Sequence, residues 1–236
     1  MAHPGLQLVK LGCPLETTAT FINGGICGYT GDELTSLTGD EGSQLAAALS
    51  FLQAHSGQVP LITIDIGAND MNPCIALGSI SAIAACAPQA IQTAAVNLTT
   101  ILAELHAADP QAAIVGLNYF IPQLADWLTG PPGQAFAEGA IQIAKGFNTA
   151  EAAAYATVNA PVADVFDAFR STDFTDQVPL LGHGQVPENV AVVCQWTWEC
   201  AAPTVGPNDH ANAIGYGVMA LAALAVLPAW PSTDGD

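Results

Sequence analysis

The chain has 236 residues, half of them apolar and a tenth charged, which suits one large α/β domain spanning residues 1–236 and excludes a disordered chain. Three basic residues (Lys10, Lys145, Arg170) face 21 acidic ones, for a formal charge of −18. Such a surface repels phosphate backbones and anionic headgroups, so nucleic acid is excluded as a partner.

In chain order, Leu6 to Leu11 reads as a short strand closed by Gly12-Cys13-Pro14. Residues 15–42 hold the loop punctuation Asn23-Gly24-Gly25 and Gly39-Asp40. Ser43 is the expected N-cap of a helix reaching about His55. Val59 to Ile66 is a buried-looking strand that stops at Gly67. Pro88 is expected to start a helix to about Ala107, with Ile91, Ala95, Leu98, Leu102 and Leu105 on one face. Ala112 to Leu117 is the next strand, with Asn118 and Tyr119 at its end. A long helix follows over roughly 134–157, its inner stripe being Phe136, Ala140, Ile143 and Phe147. Pro161 to Phe166 reads as another short strand or extended piece, 171–189 as an irregular polar loop, and Val190 to Val193 as an edge strand. The last helix spans about Asn212 to Leu227. Strands alternating with long helices predict a parallel sheet covered on both faces.

The six cysteines fall into close pairs: Cys13 with Cys27, Cys74 with Cys86, and Cys194 with Cys200. None has the spacing of a zinc knuckle, and no histidine adjoins them. They read as three local disulfides, each contributing on the order of 2–3 kcal/mol. Free buried cysteines of a cytosolic protein are the alternative. Disulfides imply an oxidising compartment, hence a secreted or extracytoplasmic protein, although Met1 to Leu6 lacks the basic start and apolar core of a signal peptide. The final apolar helix is interrupted at Pro228, short of the ~20 residues a membrane span requires.

Two segments place polar groups where open α/β sheets build their sites. At Gly67-Ala68-Asn69-Asp70 an amide at a strand end offers N–H donors to an oxygen that gains negative charge. At Gly206-Pro207-Asn208-Asp209-His210 an imidazole stands just before the last helix, placed to take a proton from a nucleophile. The plainer alternatives are a turn-forming Asn-Asp pair and a loop or helix-cap histidine.

Gly67 to Asp70, and His210 with the following Ala211-Asn212-Ala213-Ile214-Gly215-Tyr216, resemble blocks III and V of the SGNH (GDSL-type) hydrolases, a family of serine esterases and lipases. The resemblance implies a three-layer α/β/α sandwich with a flavodoxin-like parallel sheet. It also implies hydrolysis of a small ester or lipid through an acyl-enzyme, with no metal or other cofactor. Asn69 then corresponds to the oxyanion donor and His210 to the base. Gly12-Cys13-Pro14-Leu15-Glu16-Thr17-Thr18 is similar to block II, with Leu15 where the second glycine belongs. The Leu15 N–H remains a donor, but the side chain would crowd the acyl pocket or demand a backbone angle leucine tolerates poorly. The family's acid, three residues before the histidine, is replaced by Pro207. Asp209 is a possible acid, a carbonyl near Gly206 or Pro207 the other orienting group, and Asp70 a brace of its turn.

The Gly-Asp-Ser segment of block I has no counterpart. None of Ser36, Ser43, Ser50, Ser56, Ser79, Ser81, Ser171 and Ser232 stands in that context or in Gly-x-Ser-x-Gly. The expected sheet therefore lacks the family's first, central strand. Residues 6–11 must then pair with 59–66, or buried main-chain groups go unpaired at about 1–3 kcal/mol each. The three cysteine pairs resemble those of secreted actinobacterial-type lipases of this family. Two further readings stay open: a catalytically inactive or truncated remnant that keeps the scaffold and binds an acyl or glycan ligand, and a flavodoxin-like nucleotide binder. The second conflicts with the missing phosphate loop and the scarcity of basic residues.

Overall fold

The structure, a computed structural model, describes residues 6–26 and 42–227; Cys27, Ser36, Gly39-Asp40, Pro228 and Ser232 lie outside them. The elements are α1 (Thr18–Asn23), α2 (Gln44–Ala54), β1 (Leu61–Ile64), a 3-10 turn (Ala68–Met71) and α3 (Asn72–Ile75). There follow α4 (Ile80–Ala108), β2 (Ala113–Leu117), a 3-10 segment (Pro122–Thr129), α5 (Pro131–Ala156), β3 (Val162–Ala163) and α6 (Val165–Ala168). The chain continues through β4 (Gln177–Leu180), β5 (Gly184–Pro187), α7 (Glu188–Trp196) and α8 (Ala213–Val226).

Strands β1, β2 and β3 pair in parallel in that order, Leu61 opposite Ala113 through Ile64 opposite Gly116, and Gly116 opposite Val162. Helices cover both faces, so the architecture is an α/β/α sandwich around a parallel sheet. On one face Ile64 and Ile114 pack with Leu45, Leu98, Leu102 and Tyr155, and each fully buried Leu or Ile contributes about 1.5–3 kcal/mol. On the other, Leu117, Phe169 and Trp196 pack against Val218 and Met219 of α8. Gly116 has a local cause: a Cβ there would lie 2.4 Å from the Tyr155 ring, whose hydroxyl donates to the Ile64 carbonyl at 3.1 Å. That contact ties α5 to β1 across β2.

Ser43 caps α2 as expected, its hydroxyl accepting from Ala46 N–H. The disulfides Cys74–Cys86 and Cys194–Cys200 are formed. Five expectations are corrected. The strand expected over 161–166 is only Val162–Ala163, because Asp164 caps a helix that takes Val165 and Phe166. Residues 6–11 form no strand and are largely exposed, Leu8 at 75%. They do not pair with β1, because nothing among the described residues flanks them to share a ladder.

Helix α4 starts at Ile80, capped by Ser79, with Pro88 inside it. Pro88 and Ala84 are both exposed, so the carbonyl that proline's missing N–H leaves free lies on the solvent side of the helix. Val190 to Val193 belongs to α7, not to an edge strand. All four are buried, and a short unbroken apolar run does not reveal its period. The segment 171–189 holds the antiparallel hairpin β4–β5, with Gly182 and Gly184 supplying positive φ at its turn.

Candidate functional site

β1 delivers the chain to Gly67, which must be glycine twice over. Its φ is +135°, and a Cβ would lie 2.9 Å from Glu151 Oε1 and 3.0 Å from the Phe147 ring. The following turn is held from afar. Asp70 accepts from Thr18 N–H at 2.8 Å and from the Thr18 hydroxyl at 2.6 Å, and Asn97 donates to that hydroxyl at 3.0 Å. The Asp70 carboxylate thus binds residues 12–18 to the end of β1.

Asn69 is oriented through both ends of its amide. Asn72 donates to its Oδ1 at 3.0 Å, and its Nδ2 donates to the Glu16 carbonyl at 2.9 Å. A primary amide has two N–H donors, so one remains for an incoming oxygen. Next to Glu16, Leu15 holds φ at +67° with its side chain 69% exposed, and its N–H has no partner among the described residues. The strained angle is adopted and the side chain turned outward.

His210 lies on the loop leading into α8, whose cap is Asn212. Its Nδ1 stands 3.1 Å from Asp209 Oδ1 and 3.2 Å from Asn208 Oδ1. With the proton on Nδ1, Nε2 is left to accept. The neighbouring side chain does reach the imidazole, joined by Asn208, which the sequence did not single out. A Gly206 or Pro207 carbonyl plays no such part. The Asp209 and His210 side chains are 67% and 73% exposed. Burial raises the nearby Glu199 carboxyl, and the charges of Asp209 and Asp126 add to that.

No hydrogen bond among the described residues links the 67–70 turn to the 206–210 loop, and no described serine hydroxyl bonds to His210. Ser43 and Ser79 are helix caps, and Ser171 is buried.

Sequence spacing also missed a buried acidic group behind the Asn69 turn. Glu151 is 2% exposed and its carboxyl oxygens have no hydrogen-bond partner among the described residues. Burial, then the charges of Asp65 and Asp70, hold it well above the ordinary carboxylate range. Asp65 opens to solvent on one side and is crowded by protein on the others. That crowding raises it to about 6, opposed by a hydrogen bond with Tyr119. The available signal was the four-residue step Phe147, Glu151, Tyr155, which sets the acid on the inner stripe of α5.

The model of the GDSL-like lipase/acylhydrolase family matches residues 9–217. Among solved structures, a phospholipase A1 from Streptomyces albidoflavus NA297 superimposes with a TM-score of 0.53 at 17% identity, over 89% of this chain and 76% of that one. At that identity the likeness speaks for the fold. No curated protein matches the chain.

Proposed function

The chain belongs to the GDSL-like lipase/acylhydrolase family, and from that premise we propose that it hydrolyses carboxylic esters through an acyl-enzyme. A nucleophilic oxygen, assigned to no described residue, takes the acyl group and releases the alcohol, and water then releases the acid. His210 acts as the base, oriented through Nδ1 by Asp209 and Asn208. The free N–H of Asn69, with the main-chain N–H of Leu15, receives the oxyanion. The observation that carries this reading is the fixed Asn69 amide, clamped between Asn72 and Glu16 on a turn braced by Asp70. Donors already aimed cost no reorganisation as charge develops, and one such donor is worth on the order of 10²–10³ in rate. The outward Leu15 side chain leaves its N–H approachable. Substrates are small esters or lipids, and the two disulfides fit a secreted or extracytoplasmic protein. No helix among the described residues is long and apolar enough to cross a membrane.

The test is turnover of p-nitrophenyl butyrate by the oxidised protein. Hydrolysis above buffer that disappears in His210→Ala supports the reading, and no turnover removes it. A second reading is favoured by one observation, the absence of a described serine hydroxyl on His210: a scaffold that binds an acyl or glycan ligand without turning it over. Covalent labelling of a serine by a fluorophosphonate, located by peptide mass spectrometry, supports the first and eliminates the second.

A further inference from the structure

His210 belongs to a short antiparallel ribbon whose other half follows α7. Thr197 and Ala211 form its bridge, with Trp198 N–H donating to the His210 carbonyl at 3.0 Å and Asn212 N–H to the Trp196 carbonyl at 2.8 Å. Those two bonds flank the bridge, so Trp198 stands directly opposite His210. The Trp198 carbonyl also accepts from Asn208 N–H at 3.3 Å. Gly206 is required by the closeness of the loop, since a Cβ there would lie 2.3 Å from the same carbonyl. The Asn212 amide donates to the carbonyls of Gln195 and Thr197, and the Cys194–Cys200 disulfide closes residues 195–199 into a loop. All these bonds lie between Cys194 and Asn212, so the pairing is set without β1 or the rest of the sheet.

Successive residues of an extended strand point to opposite faces. Thr197 and Ala211 face inward, 2% and 3% exposed, while Trp198 is 39% exposed and the His210 side chain 73%. The indole and the imidazole therefore share the solvent face of the ribbon as cross-strand neighbours. Trp196 packs edge-on against Phe169 and Trp127 against Phe174, but Trp198 has no ring partner among the described residues. A large flat ring left open beside a base is suited to contact a substrate.

The chemistry says which part of the substrate lies there. His210 takes the nucleophile's proton through Nε2 and returns it to the alkoxy oxygen as the bond from that oxygen to the carbonyl carbon breaks. The carbonyl oxygen is directed to the Asn69 amide on the other arm. Whatever group the alcohol carries is therefore held on the His210 side.

We propose that Trp198 is a substrate-contact residue that selects the alcohol portion of the ester, its indole packing on an aromatic group carried by that alcohol. This rests on the hydrolase reading above.

The test compares benzyl butyrate with methyl butyrate on the full oxidised chain, two esters with one acyl group and leaving alcohols of similar acidity. Trp198→Ala should lower kcat/KM for benzyl butyrate about tenfold, mainly through KM, and leave methyl butyrate within about twofold. The bonds to His210 and Asn208 are main-chain, so the substitution leaves them in place. Trp198→Phe should restore most of the loss, and benzyl acetate should lose as much as benzyl butyrate. Equal losses for the benzyl and methyl esters would mean that Trp198 only holds the His210 loop. Losses that follow the acyl group would put the indole on the acyl side. Either result overturns the proposal, as does no loss.

A binding measurement separates the contact from the hydrolase reading. Benzyl alcohol is titrated into the isotope-labelled native chain and read by NMR at the Trp198 indole N–H, assigned by its disappearance in Trp198→Phe. The expected result is a saturable shift there that Trp127 and Trp196 do not share. Where esters are turned over and Trp198→Ala folds, the kinetic comparison decides. Should that variant not fold, or should no ester be turned over (which removes the hydrolase reading by itself), the titration decides: a saturable shift keeps the contact and its absence overturns it.

Discussion

The two arms of the candidate site are built in opposite ways. The Asn69 turn is fastened to Thr18 and Glu16 by bonds that cross 52 and 53 residues of sequence, and Asn97 in turn donates to the Thr18 hydroxyl across 79. It backs onto Phe147 and Glu151 in the interior. The His210 imidazole is tied by the two preceding residues and is mostly exposed, while the loop's main chain is bonded to Trp198, which donates to the His210 carbonyl and accepts from Asn208 N–H. In the proposed mechanism the first arm preorganises charge stabilisation, and the second holds an exposed imidazole through side chains adjacent to it. Lesions in the first arm should therefore damage stability and activity together, and lesions in the second should damage activity alone.

The largest expected effect is on the rigid arm. Asp70→Ala removes two charge-assisted hydrogen bonds and should cost about 3 kcal/mol in urea unfolding. Gly67→Ala, which puts a Cβ against Glu151 and Phe147 at a φ hostile to side chains, should cost a comparable amount, about 3 kcal/mol. Loss of under about 0.5 kcal/mol in both would break the contrast.

Smaller changes should sharpen it. Glu151→Leu removes a buried, unpartnered carboxyl and should stabilise the chain by about 1–3 kcal/mol. Tyr155→Phe deletes the bond to the Ile64 carbonyl and should cost about 1 kcal/mol. On the other arm, Asp209→Asn should shift stability by less than about 0.5 kcal/mol while lowering ester turnover.

The buried acids also set a pH dependence. Asp65 is raised to about 6 and Glu151 is also held well above the ordinary carboxylate range, so as pH rises above that range the folded chain binds more protons than the unfolded one. The contribution of Asp65 to stability is therefore present at low pH and lost as pH rises through about 6. Thermal melting from pH 5 to pH 7.5 should show a shallower decline in Asp65→Asn than in the native chain. Equal slopes would mean that Asp65 is not the group responsible.

Local features of the fold were legible in the sequence and distant ones were not. The apolar run ending at Gly67 marked β1, Ser43 marked the start of α2, and the Gly67 to Asp70 and His210 to Tyr216 segments marked the family. Residues 190–193 have the letters of a strand but sit in α7, because burial on all sides erases the period. Leu6 to Leu11 also has the letters of a strand, but a strand exists only with a neighbour to bond. The brace between Thr18 and Asp70 carries no spacing signal, since its two ends meet only after the chain has folded. Asp209 was legible only as a possibility, because its approach to the His210 imidazole depends on local loop geometry.

In the proposed function the Asn69 amide and the His210 imidazole serve one reacting centre, and a double-mutant cycle on kcat/KM for p-nitrophenyl butyrate tests this directly. The expected result is that Asn69→Ala and His210→Ala each remove most of the activity, and that the double variant is little worse than the more damaged single one. Losses that simply add, or a variant indistinguishable from the native chain, would contradict it.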